Sequence, residues 1–250
     1  SRADVVLYDS LSLPESEIHQ IVPDHCLVQC VGKRGDQKDT SLKQEDINEL
    51  LLQHITMNDD NDDNKKTKKR IVRLKGGDPM LFGRSQSEVQ TLRQYQQQQP
   101  DNDVRYHIIP GLSSCVAGPH YAGIPLTDPT LNCQSFAVFS GTNAHGIGLG
   151  DIQDNTISSN NKNNSNKNNG MVDTLVFLMI GKLEKLQSLC LKLYQNDNDG
   201  WDADTPCAIV QNAGRISKQR VWRATLSTIV QTIQKDLELH EKSVSPAIFI

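Results

Sequence analysis

Three things are scarce in this 250-residue chain: apolar residues, paired cysteines and excess positive charge. Hydrophobic residues make up 36% of it, and no apolar run reaches the ~18 residues that a membrane-crossing helix needs. A transmembrane helix is therefore not expected. The six cysteines (Cys26, Cys30, Cys115, Cys133, Cys190, Cys207) form no CxxC pair and no cysteine–histidine cluster at zinc spacing. That removes the usual structural-zinc and dithiol readings, and no metal site is expected. Most of them stand in or beside apolar runs, where a thiol packs as a small hydrophobe. Scattered thiols of this kind suit a reducing, intracellular compartment, cytoplasmic or organellar. The net charge is −4, so no global field favours nucleic acid or an anionic membrane. A nucleic-acid-binding module would rest on residues 65–70 alone, and the aspartates at 59–63 neutralise that basic run.

The shortage of apolar residues is local. Residues 58–69 (NDDNDDNKKTKK) are wholly polar, and residues 151–170 contain eight asparagines in twenty positions. Neither can build a core, so both read as solvated inserts, the second as a disordered loop. The rest of the chain alternates two patterns. Short apolar runs bounded by polar or turn residues predict buried strands at 5–8, 27–31, 70–74, 104–109, 135–139, 172–180, 206–210 and 246–250. Helical spacing follows in Leu42, Ile47, Leu50, Leu51 and Ile55, where Ser41 to Gln44 reads as a capping box. It recurs in Glu88, Val89, Leu92 and Tyr95, in Leu183, Leu186, Leu189, Cys190 and Leu193, and in Leu226, Ile229, Val230, Ile233 and Leu237. Strands alternating with helices predict an α/β fold. The break near residues 126–132 divides it into two α/β domains, 1–128 and 129–250. The chain starts and stops inside strand-like runs, and the expectation is a fragment truncated at both ends.

One stretch organises the first set: residues 72–84, VRLKGGDPMLFGR. A strand runs directly into two glycines, which allow a positive φ or a close backbone approach that a side chain would block. Asp78 precedes Pro79, which holds it in an extended turn. Taken alone, such a turn needs no function. In open α/β sheets, however, the carboxyl ends of strands are where ligands sit. The same position after residues 104–109 carries Pro-Gly-Leu-Ser-Ser, small residues with free amides and hydroxyls, or simply a helix cap.

Together these segments resemble the tetrapyrrole methylase family. The matching pieces are ADVVLYD (3–9), VGKR (31–34), QEDINELLL (44–52), VRLKGGDPMLFGR (72–84), IPGLSS (109–114), YAGIPLT (121–127), TLVFLMIG (174–181) and KQRV (218–221). They occur in order and cover nearly the whole chain outside the two inserts. The resemblance implies two α/β domains of the tetrapyrrole methylase type with S-adenosylmethionine in the cleft between them, usually as a homodimer. It assigns the cofactor to Gly76, Gly77, Asp78 and Leu81, to Ser113 and Ser114, to Met179, and to Ala213. It assigns a catalytic base to Asp9 and a proton donor to Lys33. Because a tetrapyrrole substrate carries several carboxylates, Arg84, Arg34 and Lys75 are candidate clamps, Arg84 foremost, since a guanidinium fork matches a carboxylate. Without the resemblance, Asp9 would be a strand-end aspartate, Lys33 a solvated lysine and Met179 a core methionine.

Within the family, VGKR and RLKGGDPxxFGR favour the branch that methylates uroporphyrinogen III at two pyrrole carbons to give precorrin-2 for sirohaem synthesis. The alternatives are a methylase acting later on a corrin precursor, and a catalytically silent domain that binds cofactor or tetrapyrrole within a larger protein. The family's glycine-rich strand-loop before ADVVLYD has no counterpart. Its histidine–arginine after IPLT is here Asp128-Pro129, its glycine–histidine is Gly141-Thr142, and its second-domain acidic residue is Gln211.

Overall fold

A computed structural model describes residues 2–32, 42–56, 69–102, 104–141, 172–194, 201–237 and 243–250. Lys33, Arg34, Ser41, Thr142 and nearly all of both polar inserts lie outside the described residues. The chain divides into two compact units, Ser1–Ser113 and Ser114–Ile250. The division falls before the helix at Ser114, earlier than the break expected after residue 128.

The first unit is a parallel three-stranded sheet. β1 (Val5–Asp9) lies between β2 (Leu27–Gly32) and β3 (Ile71–Leu74). All four residues from Val5 to Tyr8 are buried, as a central strand covered on both faces requires. Val5 and Leu7 pack with Val31, Ile47, Leu51 and Leu92, beneath α2 (Gln44–Thr56) and α3 (Ser85–Gln98). Val6 and Tyr8 point the other way, into Ala3, Ile18 and Cys26, beneath α1 (Glu15–His19). α2 begins at Gln44, and the Asp46 side chain accepts the Lys43 backbone amide at 3.0 Å, closing the first turn from inside the helix; the cap expected at Ser41 lies outside the described residues.

One expected strand does not form. Residues 104–109 run outside the sheet, and every residue from 105 to 112 is exposed. Apolar and aromatic residues favour an extended backbone, but a strand also needs a ladder partner, and β3 pairs only with β1 among the described residues.

The second unit holds a five-stranded mixed sheet in the order β4 (Phe136–Ser140), β5 (Thr174–Leu178), β8 (Ala247–Phe249), β6 (Pro206–Gln211), β7 (Arg220–Thr225). Only β4 and β5 run parallel; β8 is antiparallel to both β5 and β6, and β6 to β7. β7 alternates Arg220, Trp222 and Ala224 with Val221, Arg223 and Thr225, so no apolar run betrays it. One face buries Leu175, Phe177, Ile209, Trp222 and Phe249 under α5 (Leu183–Tyr194) and α6 (Ile229–Asp236). The opposite face, Val176, Leu178, Val210 and Ile248, packs on Cys115 and Ala122 of and beside α4 (Ser114–Tyr121). The period-2 alternation along β5 thus serves two cores at once. Burial pushes the Cys190 and Cys207 thiols up to about 12, so both are inert packing groups at neutral pH. Among the described residues no helix is long and apolar enough to cross a membrane, and no cluster of His, Cys, Asp and Glu could hold a metal ion.

Candidate active site

In the first unit the described candidate residues lie at or beyond the carboxyl ends of the strands. A register shift between Tyr8 and Asp9 in the β1–β2 ladder, with Gly32 at φ 80°, turns Asp9 out of the pleat. Its carboxylate pairs closely with the Arg73 guanidinium. Arg73 also donates through Nη1 to the carbonyls of Leu7 and Leu74, at 3.2 and 3.0 Å, and through Nε to Glu88 Oε1 at 3.2 Å. Glu88 Oε1 accepts in addition from Lys75 Nζ at 2.8 Å and from Gln44 Nε2 at 3.3 Å. The side chains of Asp9, Arg73, Glu88 and Lys75 are 13%, 10%, 7% and 4% exposed. Two acids and two bases therefore form a neutral, nearly buried chain, the arrangement that avoids an uncompensated charge out of water.

Lys75, expected to clamp substrate, is in this chain. Its ammonium donates to Glu88 and, at 2.7 Å, to the Gly83 carbonyl. It ties the end of β3 to the turn that precedes α3. From sequence Arg73 is not a site candidate, and Glu88 is named only as part of a helical stripe. The available signal was Arg73 two positions after Ile71, on the strand face that carries the α2–α3 core, where a charge demands a partner.

The Gly-Gly-Asp-Pro turn does more than bend. Gly77 has φ 72°. Asp78 Oδ1 accepts the amides of Met80 and Leu81, at 2.8 and 3.2 Å, and Oδ2 accepts the amide of Gly111 at 3.1 Å. These backbone donors, Gly111 first, hold the Asp78 carboxyl below the usual carboxylate range. The carboxylate so staples the turn after β3 to the Pro-Gly-Leu-Ser segment. The approach is tight: a Cβ on residue 111 would lie 2.1 Å from the Gly77 carbonyl oxygen. Gly76 also backs onto main chain, its would-be Cβ 3.2 Å from the Leu11 oxygen. Around this seam Met80, Leu81, Ile109 and Leu112 are exposed, and Ser113 is buried. Phe82 and Arg84 both take left-handed backbone, at φ 58° and 56°, and Gly83 between them could carry no side chain, since its Cβ would meet the Pro79 oxygen at 2.4 Å. Arg84 is exposed at the start of α3.

In the second unit, Ser114 opens α4 and is exposed. Met179, immediately after β5, has φ 61° and is 44% exposed, so it is not a core methionine. Ala213 follows Asn212, which has φ 50° just beyond β6, and packs against the α4 side of the sheet. Two non-glycine residues in left-handed backbone at two strand ends mark the kind of strained position found at binding sites. Asp128 caps a short 3-10 turn, Pro129–Leu131, accepting from the Thr130 amide at 2.9 Å and its hydroxyl at 2.6 Å. The Asp-Pro that replaces the family's histidine–arginine thus has a structural use of its own. Gln211 pairs across the sheet with Arg220 and Ala247.

Comparison with known proteins decides the family. The model for tetrapyrrole (corrin/porphyrin) methylases matches residues 1–230. The chain belongs to the tetrapyrrole methylase family. It is 33% identical over 234 residues to a uroporphyrinogen-III C-methyltransferase of Methanocaldococcus jannaschii, covering 94% of this chain and 80% of that one. A Synechococcus elongatus protein of the same name is 29% identical, with 99% and 81% covered. A sirohaem synthase of Thiobacillus denitrificans is 33% identical, but the chain spans only 39% of its length. Among solved structures, the uroporphyrin-III C-methyltransferase of Thermus thermophilus complexed with S-adenosyl homocysteine superposes with a TM-score of 0.64 at 28% identity, covering 99% of this chain and 84% of that one. A cobalt precorrin-4 methyltransferase shares the fold at 18% identity, with a TM-score of 0.62. The mixed α/β tetrapyrrole methylase fold expected from sequence is therefore the one this methyltransferase has.

Proposed function

We propose that this methylase transfers methyl groups from S-adenosylmethionine to two pyrrole carbons of uroporphyrinogen III, giving precorrin-2 for sirohaem synthesis. The observation that carries the reading is the 33% identity to a uroporphyrinogen-III C-methyltransferase along 94% of the chain. The S-adenosyl homocysteine in the related Thermus structure supports the cofactor.

The strand-end seam of the first unit fits such a cofactor. Gly76, Gly77 and Gly111 are exposed, and Leu81 stands exposed beside them as an apolar surface for a base or ribose. Asp78 fixes that seam through three amides, so its part in binding is to hold the loop. Ser113 and Ser114 continue the segment, and Met179 and Ala213 are the second unit's proposed contributors. When bound, the cofactor supplies a methyl group already activated on a sulfonium. The protein then has to align the accepting carbon, exclude water and handle a proton.

Asp9 is the proposed acceptor for the proton that the macrocycle releases once its new carbon–carbon bond has formed, and Lys33 the proposed donor. Arg84 and Arg34 are the proposed carboxylate clamps. Lys75 serves the substrate at one remove, through Gly83. The active protein is proposed to be a homodimer.

The test is incubation of the protein with uroporphyrinogen III and S-adenosylmethionine, with the products analysed by mass spectrometry. A tetrapyrrole carrying two added methyl groups is the expected product. Methylation of a precorrin but not of uroporphyrinogen III would assign the enzyme to a later step. Binding of S-adenosylhomocysteine without turnover of any tetrapyrrole would mark a silent binding domain.

A further inference from the structure

Glu88 is a buried carboxylate that touches neither of the proposed functional ends yet is tied to both. Its Oε1 accepts Arg73 Nε at 3.2 Å and Lys75 Nζ at 2.8 Å. Arg73 passes the connection to Asp9, which pairs with the far side of the same guanidinium. Lys75 passes it to the Gly83 carbonyl at 2.7 Å, one residue before Arg84. Both relays are rigid for stated reasons. Arg73 is pinned in plane by the Leu7 and Leu74 carbonyls as well as by the two acids. The Gly83 turn has left-handed residues on either side, Phe82 and Arg84, and would drift toward ordinary backbone without a donor on its carbonyl.

We propose that Glu88 is a positioning residue that sets the two ends of this site together, Asp9 through Arg73 and Arg84 through Lys75 and Gly83. The proposal rests on the reading of Asp9 as base and Arg84 as clamp. A charge at residue 88 is required because each relay is cationic: with Glu88 neutral, Arg73 and Lys75 would share a dry space with Asp9 as the only acid among these four groups. Arg73 would then reorient toward Asp9, and Lys75 would swing outward to water, releasing Gly83. Geometry held by packed side chains behind the reacting groups is a common requirement of catalytic sites, where displacements near 1 Å are costly.

The test uses Glu88→Gln, which keeps the shape and removes the charge, with uroporphyrinogen III and S-adenosylmethionine as substrates. Expected is a fall in kcat of tenfold or more and a rise in the KM for uroporphyrinogen III of severalfold. The affinity for S-adenosylhomocysteine, by calorimetry, should stay within about twofold. Should Glu88→Gln fail to fold, Lys75→Met, which keeps Glu88, separates the relays: the KM for uroporphyrinogen III rises while kcat falls less than threefold, because Glu88 still holds Arg73 against Asp9. Unchanged kcat and KM in the folded single variant would overturn the proposal. So would parallel loss of kcat, cofactor affinity and thermal stability, the mark of a merely structural acid. If the unaltered protein methylates no uroporphyrinogen III, the functional reading itself fails, which is a distinct result.

Discussion

Asp78 and Gly111 stand 33 positions apart in the chain and are joined by one hydrogen bond, from the Gly111 amide to Asp78 Oδ2 at 3.1 Å. The bond decides what Asp78 is for: its carboxylate is already engaged by three backbone amides and organises the loop by being an anion. Removing it by Asp78→Ala should lower S-adenosylhomocysteine affinity at least tenfold in calorimetry, with little change in the melting temperature. The pH dependence has a definite sign. Because the folded-state pKa is depressed, the staple is fully present above the ordinary aspartate pKa and is lost only as pH falls through the lower folded value. Binding by the unaltered protein should therefore persist through the pH range in which free aspartate protonates.

Gly111→Ala tests the same seam from the other side. The added methyl would sit 2.1 Å from the Gly77 oxygen, and neither atom belongs to a flexible side chain. The two segments must part, breaking the Asp78 bond. A cost of ~1–3 kcal/mol in denaturant unfolding is expected for overpacking of this kind, together with loss of S-adenosylhomocysteine binding. Retention of wild-type affinity by this variant would separate the seam from the cofactor.

Much of this was legible in the sequence where one signal sufficed. β1 carries a four-residue apolar run, Val5 to Tyr8, that must be covered on both faces, and it is. The stripe of Leu186, Leu189, Cys190 and Leu193 fixed the buried side of α5. Where two signals had to combine, the sequence misled. Residues 104–109 have strand chemistry but no ladder partner, and partnership is a property of the sheet rather than of the segment. β7 has partners but polar residues at every second or third place, so its chemistry hides it. In the candidate site the turn at Gly76 to Asp78 was visible because glycine and proline act locally. Arg73 and Glu88 were not, because a buried ion pair 15 residues apart appears only once strand and helix are packed.

Phe177 sits between Phe139 and Phe249, with ring centroids 5.5 and 5.8 Å away and both pairs stacked. It is essentially fully buried and lies on the face that α5 and α6 cover. Phe177→Ala leaves a cavity in the core between the larger sheet and its helices, and the expected loss is ~3–5 kcal/mol in equilibrium denaturation. Met179 follows two residues later, so this variant should lose stability in the second unit, while the hydrogen bonds of the Asp78 seam in the first remain intact by amide exchange at Gly111.

Arg84 provides the sharpest division between cofactor and substrate. It is exposed, its backbone is left-handed at φ 56°, and the turn before it is fixed by Lys75 through Gly83. The side chain contributes no part of the Asp78–Gly111 seam. A guanidinium so placed can meet a substrate carboxylate with two donors, whereas S-adenosylhomocysteine binding at the glycines would not call on it. Arg84→Ala should therefore weaken uroporphyrinogen III binding by roughly ten- to a hundredfold, the scale of a charged hydrogen bond of ~1.5–3 kcal/mol. Cofactor affinity should change less than twofold. Arg84→Lys should recover only part of the loss, since an ammonium restores the charge but not the fork. Equal losses for both ligands in parallel titrations would remove Arg84 from the substrate site and return it to the turn.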